Sequence, residues 1–185
     1  MRRFAPRHFA VALAFVLLLV YAGFVGLRVL YPMAYAEEIA EAAELSGLDA
    51  ALVAAVVRCE SRFRPGVVSP RGAVGLMQIM PETGAWIAEQ TALSDFDVDR
   101  LDEPELNLRL GTWYLRFLLD RFGDRDDALA AYNAGPARAE QWTSGEGTVF
   151  PETRAFVARV RGSLPIYRLY FCVPWLLRIT PSLLT

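Results

Sequence analysis

The chain has 185 residues, 54% of them hydrophobic, and a formal net charge of −2, which suits one domain of ordinary size plus an appendage. Without the first 30 residues, which hold four arginines and no acid, the remainder carries 15 basic and 21 acidic residues, a net charge of −6. That balance excludes the basic footprint of a nucleic-acid binder. The only histidine is His8 and there is no lysine, so the rest of the chain has no Ser-His-Asp, Cys-His or Ser-Lys arrangement and no His-containing zinc site.

The N-terminus opens with Arg2, Arg3 and Arg7 and then runs without charge from Phe9 to Leu27, with Arg28 just after. Nineteen such residues suffice to cross a bilayer core, which needs about 20. The arginine bias predicts the N-terminus inside and the remainder outside the membrane. Ala34-Tyr35-Ala36 would serve a signal peptidase, giving secretion after cleavage near Ala36 as the alternative. The apolar run exceeds the roughly 7–15 residues of a signal h-region, which favours an uncleaved anchor. Either way the functional domain is exported. Cys59 and Cys172 then lie where disulfides can form, but small buried apolar thiols are the expected state.

Tyr35 to Ser46 reads as an amphipathic helix ended by Gly47. Asp49 is placed to cap the next helix, expected from Leu52 to about Phe63 and stopped by Pro65-Gly66. In that helix Leu52, Val53, Val56 and Val57 share a face with Glu60. A carboxylate on a core-facing stripe loses solvation, so its pKa rises and it tends to hold a proton near neutral pH, as a general acid must. A structural ion pair with a neighbouring arginine is the competing reading.

The segment 67–75 is a loop turning at Ser69-Pro70-Arg71-Gly72. The apolar run Leu76 to Met80 follows, with Gln78 embedded in it as an amide that must find partners. Pro81 opens a helix through Trp86 to Ala88. The acidic segment 94–105 begins like a calcium loop, but its sixth position is Arg100 and its twelfth Leu106, so a solvated loop is expected there. Leu106 to Phe122 is a helix. Ala128 to Asn133 is a shorter one ended by Gly135-Pro136, and Ala137 to Trp142 restarts. After the glycines at 145 and 147 comes a helix from Arg154 to Arg161. The stretch 165–185 reads as an apolar tail packed on the domain or lying at the bilayer surface. The expected organisation is an anchor over 1–30, an all-α domain over 31–164 and the tail over 165–185.

Four blocks then stand in order: Glu60-Ser61-x-Phe63; Ser69-Pro70-x-Gly72-Ala73-x-Gly75-Leu76-Met77-Gln78-Ile79-Met80-Pro81; Ala131-Tyr132-Asn133-Ala134-Gly135; and Pro151-Glu152-Thr153-Arg154. Together they resemble the soluble lytic transglycosylase domain, over about Tyr35 to Arg161. The span followed by Tyr31-Pro32 and Tyr35 is similar to membrane-anchored members of that group. The resemblance implies a lysozyme-like all-α fold preceded by one transmembrane helix, and cleavage of peptidoglycan without metal or cofactor.

Carried over by position, it implies Glu60 as the single catalytic acid/base, Ser69, Gln78, Met80, Tyr132 and Asn133 along the sugar site, and Glu152 at the cleft rim. Phe156 stands where the family commonly has tyrosine. The implied chemistry breaks the bond between N-acetylmuramic acid and N-acetylglucosamine and closes a 1,6-anhydro ring. Two readings compete: a lysozyme-type hydrolase in which Glu152 or an Asp activates water, and a non-catalytic wall-binding scaffold. The implied partners are glycan strands and, through the N-terminal helix, a membrane; no protein partner is implied.

Overall fold

The computed structural model describes residues 6–173, which divide into two compact units between Pro32 and Met33. The first is a single helix, α1 (Pro6–Leu30). Its window His8–Leu30 is 23 residues long with a mean hydropathy of 2.6, long and apolar enough to cross a membrane. A leader sequence passes the same test.

The second unit is all-α among the described residues: α2 (Ala36–Leu45), α3 (Ala50–Glu60), α4 (Pro81–Gln90), α5 (Pro104–Phe122), α6 (Arg125–Ala134), α7 (Pro136–Thr143) and α8 (Pro151–Cys172), with a 3₁₀ turn at Val98–Arg100. Extended pairing is limited to isolated bridges, Val68 with Val74 and Val74 with Ile79. The helix starts follow local chemistry. Asp49 accepts from the Ala51 amide at 2.9 Å, and Asp124 from the Asp126 and Asp127 amides at 2.7 and 3.1 Å. Proline occupies the first turn of α4, α5, α7 and α8. In the acidic segment, Asp97 accepts from the Asp99 amide at 3.0 Å and Arg100 grips Glu103.

Helix α3 forms the spine. Val53, Val56 and Val57 are fully buried, and α8 packs along α3. On α8 the buried stripe Thr153, Phe156, Val160, Leu164, Tyr167 and Tyr170 recurs at helical spacing. Helix α5 packs against α2, α4 and α6, and α6 against α7 and α8.

Helices α5, α7 and α8 begin one to three residues earlier than expected, at their prolines, and three further boundaries differ from the sequence expectation. Helix α3 ends at Glu60 rather than near Phe63, because Arg62 and Phe63 take left-handed φ values of 54° and 60°. The turn precedes the Pro65-Gly66 stop, and it leaves Glu60 on the last residue of the helix. Helix α6 starts at Arg125, three residues before Ala128, on the Asp124 cap. Helix α8 continues to Cys172, so 165–172 is helix rather than tail. A proline inside a helix costs about 3 kcal/mol or more, yet Pro165 is accommodated because Tyr167 and Tyr170 beyond it are fully buried, and Tyr167 meets Phe63 with ring centroids 5.9 Å apart. The remainder of the expected tail, from Pro174 onward, lies outside the described residues. Cys59 and Cys172 are free thiols, Cys59 half-buried but Cys172 exposed.

Candidate active site

The site is assembled on the loop between α3 and α4. Left-handed turns at Arg62 and Phe63 redirect the chain after Glu60, and Ser69 to Gly72 folds into a turn closed by the Gly72 amide on the Ser69 carbonyl at 2.9 Å. Asn107 on α5 then fixes the second half of the loop. Fully buried, it accepts from the Met77 amide at 2.7 Å and donates to the carbonyls of Val74 and Leu101 at 2.9 and 2.7 Å. Gly75 explains why this works only with a bare backbone. Its φ is 86°, and an added Cβ would stand 2.7 Å from the Leu101 carbonyl oxygen and against the Asn107 amide. Gly111 plays the same part for Met77, whose Cβ lies 2.7 Å from where a side chain there would begin.

Gln78 sits at φ 51°, a conformation that costs a non-glycine residue. Its own side chain offsets that cost. Nε2 donates to the carbonyls of Val67 and Gly75 at 3.0 and 2.9 Å, so both amide hydrogens are taken by backbone and Oε1 remains as an acceptor. Ser69 Oγ accepts from the Ala73 amide at 2.9 Å and keeps its own proton to donate. From α6, Tyr132 donates to the Met77 carbonyl at 2.8 Å. Next to it, Asn133 Oδ1 accepts from Thr153 at 2.9 Å, which leaves the Asn133 N–H groups.

Glu60, Ser69, Gln78, Met80, Tyr132 and Asn133 line one cavity of about 490 Å³. Glu60 is the only acid among its lining residues. Burial pushes its carboxyl up from 4.5 to about 7, against a smaller downward pull from the Arg159 guanidinium. The end of a helix, with its negative dipole, also disfavours an anion. No ion pair reaches Glu60 among the described residues. Tyr132 is held well above the ordinary phenol range, first by burial and then by the neighbouring Glu60 charge.

Glu152 is not brought to this cavity. It is exposed in the first turn of α8. Its neighbour Thr153 reaches the site indirectly, through Asn133. Phe156 is 1% exposed and packs in the core.

Sequence reasoning missed several lining residues, among them Arg71, Thr83 and Tyr114. Tyr114 lies on α5, where Trp113, Tyr114 and Phe117 are half-buried and gather around Trp86 of α4. Asn107 was also missed. Flanked by Leu106 and Leu108 but with Glu105 and Arg109 beside them, it carried no signal like that of Gln78.

The family model for the transglycosylase SLT domain matches residues 37–152. The soluble lytic murein transglycosylase of Salmonella typhimurium is 35% identical over 151 residues, covering 75% of this chain and 23% of that protein. Among solved structures, an inactive mutant of the lytic transglycosylase Slt from Pseudomonas aeruginosa superimposes with a TM-score of 0.73 at 33% identity, over 78% of this chain and 25% of that one. The 70 kDa soluble lytic transglycosylase of Escherichia coli gives 0.73 at 31% identity, over 78% and 26%. The chain thus spans about a quarter of the length of these relatives.

Proposed function

Since the chain belongs to the transglycosylase SLT domain family, we propose that it is a peptidoglycan lytic transglycosylase in which Glu60 is the single acid/base. The observation that carries this reading is a lone carboxyl, raised to about 7, on a cavity lined by no second acid. Two-carboxylate hydrolysis needs a partner across the scissile bond, and exposed Glu152 does not supply one from the cavity.

Protonated Glu60 gives its proton to the glycosidic oxygen as the bond from the muramyl C1 breaks, releasing the N-acetylglucosamine hydroxyl. The substrate's own acetamido group stabilises the electron-poor C1. Glu60, now ionised, takes the proton of the muramyl C6 hydroxyl while that oxygen bonds to C1, which closes the 1,6-anhydro ring and restores the acid. No water is consumed, and the intramolecular nucleophile has the advantage of proximity. Tyr132 has committed its proton to Met77, so toward the cavity its hydroxyl can only accept. That bias favours the protonated form of a nearby carboxyl. Ser69 and Asn133 offer donors, and Gln78 an acceptor, to sugar hydroxyl and acetamido groups. Met80 contributes an adaptable apolar wall, and Glu152 shapes the outer approach to the cleft.

Digestion of purified sacculi with mass analysis of the fragments tests this. Anhydro-muropeptides are expected from wild type and none from Glu60→Gln. Reducing-end products would establish the hydrolase reading instead, and wall clearance by the Gln variant would remove Glu60 from the chemistry. The length and hydropathy of α1 support a single-pass anchor, and the arginines that precede it support an extracytoplasmic domain; carbonate-resistant retention of the full-length chain in membranes checks the anchor against release after cleavage near Ala36.

A further inference from the structure

Arg71 is the only cation among the described residues lining the Glu60 cavity. It rides on the Ser69–Gly72 turn, between a backbone hydrogen bond of 2.9 Å that closes the turn and the Ser69 Oγ contact to the Ala73 amide, also 2.9 Å. The backbone that carries it is therefore fixed on both sides. Its guanidinium has no hydrogen bond or ion pair with any described residue. By contrast, Arg100, Arg116, Arg121, Arg161 and Arg168 each hold a carboxylate. Nor is Arg71 the cation that bears on Glu60, a part taken by Arg159. The result is a planar fork of donors on the wall of a cavity whose only described acid sits on a different segment and is countered by a different arginine. Such a fork is suited to a carboxylate from outside the protein.

We propose that Arg71 is a specificity-determining residue that receives a carboxylate carried by the substrate strand. This rests on the transglycosylase reading above. A muramyl strand offers carboxylates from two sources: the lactyl ether, free where no peptide is attached, and the peptide stem. Both present the same planar anion, and since Arg159 rather than Arg71 is the charge acting on Glu60, Arg71 is assigned to binding rather than to bond breaking. The contact is open to solvent, so wild type should prefer anionic over neutralised strands by about two- to fivefold in kcat/KM, the range of an exposed ion pair. The difference should lie in KM and shrink as salt is raised.

The test compares full-length wild type, Arg71→Gln and Arg71→Lys on four substrates. Two are peptide-free strands, with the lactyl carboxylate free or converted to its methylamide. Two are stem-bearing strands, with the stem carboxylates free or amidated. A preference for the free form in one pair, lost in Arg71→Gln and partly kept in Arg71→Lys, supports the assignment and identifies which carboxylate is bound. No preference in wild type, or one that survives in Arg71→Gln, overturns it. Failure of the underlying activity is seen separately, as absence of anhydro products from wild type on every strand.

Discussion

The hydroxyl of Tyr132 donates to the main-chain carbonyl of Met77 at 2.8 Å, joining α6 to a loop 55 residues earlier in the chain. The bond closes one wall of the cavity and sets the only direction in which that hydroxyl can still interact. Tyr132→Phe leaves the Met77 carbonyl without this donor. The expected cost is about 1–2 kcal/mol of stability, together with a lower kcat while KM changes little. Urea denaturation and steady-state kinetics on the same preparation separate the two effects; an unchanged kcat would confine Tyr132 to a structural part.

Glu60 is expected to leave a signature in stability as well as in rate. Its carboxyl is raised from 4.5 to about 7, so between those values the folded protein holds a proton that the unfolded chain has released. Stability therefore falls as pH rises through that window and is flat above it. The full span corresponds to at most about 3 kcal/mol. Glu60→Gln carries no charge at any pH and should lose this slope, ending as stable as wild type or more so at pH 8. Identical pH dependences for the two proteins would show that Glu60 is not a desolvated acid.

Arg159 gives the same group an adjustable setting. It is exposed, and its charge lowers the Glu60 pKa against the larger effect of burial. Cleavage requires protonated Glu60, so kcat/KM should decline as pH rises through about 7. In Arg159→Gln the downward pull is gone and the declining limb should move to higher pH. A limb that stays in place, or moves down, contradicts the assignment of that limb to Glu60.

The Asn107 node should be the weakest point of the loop to substitution. Asn107→Ala leaves the Met77 amide and the Val74 and Leu101 carbonyls unpaired in the interior, at about 3–5 kcal/mol in all. Gly75→Ala should be comparably damaging, because strain at φ 86° adds to the clash with Asn107 and Leu101. Gly72→Ala, at φ 87° but with open space around it, should cost much less. Thermal unfolding of the three variants ranks them; equal losses at both glycines would mean that φ alone matters there.

Much of this protein was written in local pattern. The phase of Val53, Val56 and Val57 puts Glu60 on a buried face, and the Asp49 cap and the first-turn Pro81 of α4 stand where local chemistry requires them. The lack of histidine and lysine outside the first few residues left carboxyl chemistry as the main acid–base option. The ends of α3 and α8 were not legible in this way. The left-handed pair Arg62-Phe63 has no glycine to announce it, and Pro165 carries a stop signal that buried Tyr167 and Tyr170 override.

The same division runs through the site. Sequence alone determined the residue types, because a desolvated carboxyl and an amide in an apolar run are recognisable from their neighbours in the chain. Only the tertiary structure decided who faces whom. Glu60, Gln78 and Tyr132 share a cavity, Glu152 stays outside it, and Arg159, distant in the chain, supplies the charge set against Glu60. Desolvation, hydrogen-bond saturation and charge coupling depend on distances between segments far apart in sequence, and helical periodicity carries no information about those.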